Sequence, residues 1–137
     1  MGSPQPDTQG VHVIIGVGID VVDVPQFREA LDEDVYDRFL IAEIDYCESR
    51  ARPWECLAAR AAAKWAAARA LGMCGEFGQD VELVRRTAGD VELHFSGVAL
   101  ETAEALGATR WWVSITHTKD TALAVVVLES PDRPARG

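Results

Sequence analysis

The side chains best placed for chemistry in this sequence fall in three short blocks. Asp20 is the first acid after an apolar run, in Gly16-Val-Gly-Ile-Asp20. Arg60 and Lys64 lie four residues apart in an alanine-rich stretch, so a helix would set both cations on one face. His117 closes a second apolar run, Trp112-Val-Ser-Ile-Thr, and is followed by Thr118 and Lys119. Asp20 and His117 are the natural acid–base candidates. Each residue also has a plain structural role. An acid at a strand end caps a turn, a histidine between threonines finds local partners, and a charged helix face is simply solvated.

The elements that must position these residues follow from periodicity and punctuation. His12–Asp20 is β-branched and bounded by glycine, which reads as a buried strand. Pro25 opens a short helix, and Asp34–Phe39 and Ala42–Arg50 give two more helical pieces. The longest helix is expected from Pro53 to about Leu71, capped by Gly72, with alanines that let neighbouring backbones approach closely. Arg60 and Lys64 share one face of it, and Ala61, Trp65 and Arg69 line an adjacent strip. Glycines 72, 75 and 78 make a connection. Asp80–Arg86 and Asp90–Phe95 form a hairpin around Thr87-Ala88-Gly89, and Gly97–Gly107 is helical. Trp111–Thr116 and Ala122–Glu129 are closing strands, with a loose tail from Ser130. The pattern is α+β, one long helix against an antiparallel sheet. Residues 11–130 read as a single domain between tails 1–10 and 131–137.

Composition narrows the function. With 137 residues, 48% hydrophobic and 26% charged, the chain is ordinary globular material. A net charge of −9 argues against nucleic acid and anionic membranes as partners. No run approaches the roughly 18 apolar residues of a membrane span, and the opening decapeptide lacks the character of a signal peptide. A cytoplasmic protein is the expectation. Cys47, Cys56 and Cys74 show no CxxC spacing, so they read as free, buried or partly buried thiols and not as a zinc site or a disulfide. Trp54, Trp111 and Trp112 read as core or interface residues.

Three blocks together resemble one family. Gly16-Val-Gly-Ile-Asp20-Val-Val-Asp23, Leu57-Ala-Ala-Arg-Ala-Ala-Ala-Lys-Trp65 and Trp112-Val-Ser-Ile-Thr-His117-Thr-Lys119 are similar, in order and spacing, to the signature segments of the holo-acyl-carrier-protein synthases. These are the small 4′-phosphopantetheinyl transferases. The resemblance implies their α+β fold and a homotrimer with the site at the subunit interface. It also implies a reaction in which a carrier-protein serine attacks the β-phosphate of coenzyme A and 3′,5′-ADP leaves. By the same resemblance Asp20 is a magnesium ligand, Arg60, Lys64, His117 and Thr118 bind coenzyme A, and Asp20, Lys64 and His117 serve catalysis. The partner implied is an acyl carrier protein in a fatty-acid or polyketide pathway.

The chain departs from that pattern where the chemistry is done. Trp65 stands in place of an acidic metal ligand, and a tryptophan offers no oxygen to a hard cation. Arg69 occupies a position where lysine is usual, and Gln26 one where an arginine commonly meets the carrier. The metal site is therefore expected to be degenerate and magnesium binding weakened, unless Asp23, Glu82 or Asp120 supplies a carboxylate. These changes predict impaired phosphopantetheinyl transfer. They also raise two alternatives: a repurposed dehydratase, isomerase or cyclase acting on a carrier-bound or polyketide-like substrate, and a non-catalytic partner that binds coenzyme A or the carrier.

Overall fold

The computed structural model describes residues 11–73, 78–86 and 90–131. Along the chain run β1 (His12–Asp23), α1 (Val24–Ala30), α2 (Glu33–Tyr36), α3 (Ile41–Glu48) and α4 (Pro53–Leu71). Then come β2 (Val81–Arg85), β3 (Val91–Phe95), α5 (Gly97–Leu106), β4 (Arg110–His117) and β5 (Thr121–Pro131). Strands β1, β5 and β4 form an antiparallel sheet in that order, and β2 pairs with β3 in a separate antiparallel ribbon.

Helix α4 is the axis of the molecule. Pro53 occupies its first turn, and Gly72 ends it in the left-handed region at φ 73°, where a side chain would be strained. Alanines 58, 59, 61, 62, 63, 66, 67, 68 and 70 are all buried, so the helix is covered nearly all round. Small residues serve the close approach of the sheet. A Cβ on Gly18 would fall 1.8 Å from the Ala66 carbonyl oxygen, and one on Gly16 2.6 Å from that of Ala70. The sheet face turned to α4 carries Ala122, Ala124, Val126 and Leu128, all buried. Its other face carries Val17, Ile19 and Val21, which are more than half exposed.

The structure corrects the sequence-based expectation at three places. Strand β1 runs on to Asp23, so Asp20 lies inside it, paired in register with Ala124, and not at its end. Strand β5 continues through Ser130 and Pro131, which pair with Val13 and His12. Cys47 and Cys56 are joined in a disulfide, with Cα atoms 5.3 Å apart, and are not free thiols. Spacing along the chain did not show this, because the turn between α3 and α4 folds the two helices side by side. Residues 87–89 of the expected hairpin turn, and Cys74 and Gly75 after α4, lie outside the described residues.

Candidate functional site

A groove of about 1130 Å³ opens between the α3–α4 turn, the β2–β3 ribbon and β4. Its chemistry is basic and aromatic, against the acidic character of the chain. Tyr46 is the hub: the guanidinium carbons of Arg60, Arg50 and Arg85 lie 5.0, 5.4 and 5.5 Å from its ring centroid. At such distances the ring face attracts each cation and holds like charges near one another. Arg60 is only 5% exposed, and burial pushes its pKa down. Its Nη1 donates to the Leu83 carbonyl at 2.9 Å, whereas its Nε is buried without a hydrogen-bond partner. An orphaned buried donor is costly unless something else accepts from it.

His117, at the end of β4, lines the same groove. Its Nδ1 lies 3.1 Å from the Glu55 carboxylate, which itself is within 3.4 Å of Arg52. Glu55 therefore fixes the ring, leaving the other nitrogen for a ligand. Trp111 forms part of the wall, stacked on Phe95 at 4.6 Å and donating from Nε1 to the Leu93 carbonyl at 2.9 Å. Trp112 is exposed; its Nε1 and the Arg110 side chain both donate to Glu129, holding that carboxyl below its usual range. Arginines around an aromatic wall suit a ligand with both phosphate and apolar parts.

Lys64 does not reach this groove. It is fully buried, its Nζ 2.8 Å from a Glu43 oxygen and also bonded to the Val81 carbonyl. Burial lowers its pKa, against the pull of Glu43. Glu43, 2% exposed, also accepts from the backbone N–H groups of Leu40 at 2.9 Å and Leu83 at 3.0 Å, and lies 4.0 Å from Arg60. One carboxylate thus ties α3, α4 and β2 together behind the groove. Glu43 was missing from the sequence-derived candidates. An acid three residues into a helix signals only a cap, which it also is. Thr118 shapes the β4–β5 turn, its hydroxyl accepting from Asp120 and Thr121.

Asp20 stands elsewhere. Its carboxylate accepts from Arg69 Nη2 at 3.1 Å, and burial raises its pKa in spite of that cation. Arg69 comes nine residues after Arg60 on α4, about 13 Å of helix rise. Asp20 pairs with Ala124 and Ala124 with Ile115, so His117 stands two strands across and two residues along the same sheet, about 12 Å away and out of contact within one chain. Trp65, one turn before Arg69, is half-buried and meets Phe27 of α1 edge-on, with centroids 6.4 Å apart. Of the substitute carboxylates, Asp23 caps α1 by accepting from Gln26 at 2.8 Å. Among the described residues no three His, Cys, Asp or Glu side chains gather to hold a metal ion.

A second cavity, of about 670 Å³, lies between α1, the α3–α4 turn and Lys119. Arg28, Arg52 and Lys119 border it, and Arg28 sits 4.9 Å over the Trp54 ring. No described helix is long and apolar enough to cross a membrane.

Comparison with known proteins gives this geometry a family. The chain is 46% identical over 125 residues to the holo-[acyl-carrier-protein] synthase of Solidesulfovibrio magneticus, covering 85% of this chain and 99% of that one. It is 40% identical over 125 residues to the synthase of Koribacter versatilis, with the same shares covered. Among solved structures, the acyl carrier protein synthase of Mycobacterium tuberculosis matches with a TM-score of 0.67 and 35% identity, over 87% of this chain and all of that one. The Bacillus anthracis holo-(acyl-carrier-protein) synthase in complex with coenzyme A (3′,5′-ADP) matches with a TM-score of 0.68 and 28% identity, over 85% and 97%. A scan against family models gave no match. The fold is the one those synthase structures share. The chain belongs to the holo-[acyl-carrier-protein] synthase family.

Proposed function

We propose that this protein transfers 4′-phosphopantetheine from coenzyme A to a serine of an acyl carrier protein, working as a homotrimer. The observation that carries the reading is the basic groove itself, where Arg60, Arg50 and Arg85 gather round the Tyr46 ring and His117 lines the same wall. Phosphate oxygens of coenzyme A are the acceptors that such a cluster of guanidinium groups calls for. Arg85, beside Arg60 on the Tyr46 ring, and His117, oriented by Glu55, would bind the same anion. Lys64 acts one layer behind, as a positioning residue that neutralises Glu43 and so leaves the charge of Arg60 for the ligand. Thr118 contributes by setting the turn that presents His117.

In the reaction, the carrier serine oxygen bonds to the β-phosphorus as the bond from that phosphorus to the bridging oxygen breaks. The electron pair leaves with 3′,5′-ADP. Asp20 receives the serine proton; its raised pKa brings it closer to the operating pH than an ordinary aspartate. Asp20 and His117 make no direct contact within one chain; in the homotrimer coenzyme A would span two subunits, with the groove of one facing the Asp20 strand of the next. The carrier would approach the second cavity, where Arg28, Arg52 and Lys119 offer an acidic partner positive charge on a chain that is acidic as a whole. The repurposed-enzyme alternative has no such support, since the relatives compared are synthases along nearly their whole length.

The test is mass spectrometry of an apo acyl carrier protein incubated with this protein and coenzyme A. A gain of one phosphopantetheinyl group, lost in Asp20→Ala, is the expected result. No gain on several carriers, beside a control synthase that modifies each of them, overturns the proposal.

A further inference from the structure

We propose that Arg69 takes the electrostatic place of the divalent ion in this chain, so that phosphopantetheinyl transfer here does not depend on a metal. The inference rests on the transferase reading above and concerns how the same site handles phosphoryl charge. A magnesium ion needs several oxygen ligands in near-ideal octahedral geometry. The residues around Asp20 do not fit one. Its carboxylate is already engaged by a cation, Arg69 Nη2 at 3.1 Å. One turn earlier on the same helix face stands Trp65, packed edge-on against Phe27, an indole where a second carboxylate would have to be.

The geometry that places Arg69 is firmly built. Gly16 and Gly18 bring β1 into backbone contact with Ala66 and Ala70 of α4, which sets Asp20 beside Arg69. The two partners differ in exposure. The Asp20 side chain is 13% exposed, whereas that of Arg69 is 63% exposed. One guanidinium nitrogen is thus anchored while most of the side chain stays open to solvent. A guanidinium is permanently charged and has five N–H donors, enough to hold a carboxylate and a phosphate oxygen together. Fixed arginines stabilise the spread charge of a phosphoryl transition state in other transfer enzymes. Arg69 is the group here with that chemistry, and an ammonium in its place would lack the fork. In the step itself the covalent balance is unchanged: serine oxygen to phosphorus forms, phosphorus to bridging oxygen breaks, and the proton passes to Asp20. Arg69 stays protonated throughout and donates hydrogen bonds to the non-bridging oxygens of the β-phosphate.

The test measures coenzyme A affinity by calorimetry on the full-length protein, once with EDTA and once with magnesium, alongside carrier modification in the same two buffers. Expected are equal affinities and continued transfer in EDTA. Arg69→Gln should weaken coenzyme A binding by about tenfold or more, as loss of a charge-assisted hydrogen bond does, and Arg69→Lys should retain part of it. Arg69→Gln leaves the mostly buried Asp20 carboxylate without its cation, so thermal melts of both variants accompany the titrations, and a cooperative transition well above the titration temperature separates lost binding from lost folding. Transfer that stops in EDTA and returns with magnesium overturns the inference and leaves the transferase reading intact. Coenzyme A binding unchanged in Arg69→Gln overturns it equally. No coenzyme A binding and no transfer in either buffer removes the transferase reading itself, and the inference with it.

Discussion

At the scale of single residues, the least obvious actor is Glu43. It is nearly inaccessible to water, yet its carboxyl group meets Lys64, two backbone N–H groups and, at 4.0 Å, Arg60. Breaking a buried ion pair from one side strands the other charge. Lys64→Met is therefore expected to cost about 3–5 kcal/mol in urea denaturation. Adding Glu43→Gln to that variant should recover part of the loss, because the amide keeps an acceptor for a backbone N–H without a charge to desolvate. A double variant no more stable than Lys64→Met would contradict this account of the pair. The residue scale is also where sequence and structure parted most. Arg60 and Lys64 do share a helix face, as their spacing required, but that face is buried and the two serve different ends. Lys64 points into the core at Glu43; Arg60 turns toward the groove. Periodicity reports which residues are neighbours on a helix, not what is packed against them.

At the scale of elements, the contact between β1 and α4 decides whether Asp20 and Arg69 meet. Glycine at position 18 is required there by space and not by backbone conformation. Gly18→Ala would put a methyl 1.8 Å from the Ala66 carbonyl and 2.7 Å from the Ala70 nitrogen, both backbone atoms that cannot step aside alone. The strand must lift from the helix, at a cost of at least about 2 kcal/mol, and Asp20 lifts with it. Urea melts measure the first effect and coenzyme A titration the second. Gly78→Ala, whose added carbon would approach nothing nearer than 3.4 Å, serves as the neutral control. If both substitutions behave alike, the tight-contact explanation of Gly18 fails. Most elements were legible from the sequence, α4 above all, since proline, an alanine-rich body and a terminal glycine mark start, interior and end. Strand ends were less so. Asp20 looked terminal because the hydrophobic run stops there, whereas β1 continues because Thr121–Ala124 of β5 offer it partners. The Cys47–Cys56 disulfide escaped for a similar reason, as it depends on a helix–turn–helix contact that no spacing rule contains.

At the scale of the whole molecule, the sheet is unfinished in one chain. β1 is twelve residues long, lies at the sheet edge among the described residues, and is apolar along most of its length. Proteins seldom leave such an edge uncovered, because it pairs readily with other chains. Its outward side chains Val17, Ile19 and Val21 are 52%, 54% and 60% exposed, and they stand in register with Val127, Val125 and Leu123 on the same face. The resulting apolar surface spans two strands and reaches the exposed Trp112 on β4. A face of that kind marks an interaction site, and assembly with copies of the same chain would bury it while bringing Asp20 of one subunit toward the groove of another. Sedimentation equilibrium should then give about three times the 14.9 kDa chain mass. Val125→Arg, a charge placed at the centre of that face and on the side of the sheet away from α4 and Asp20, should yield monomers that keep helical and sheet content. In the proposed assembly the site is completed between subunits, so those monomers should also modify carrier protein at least about tenfold more slowly, the loss expected when catalytic groups are no longer held together. A parent protein that sediments as a monomer and still transfers phosphopantetheine would place the whole site within one chain, with coenzyme A spanning the width of the sheet between Asp20 on β1 and His117 on β4.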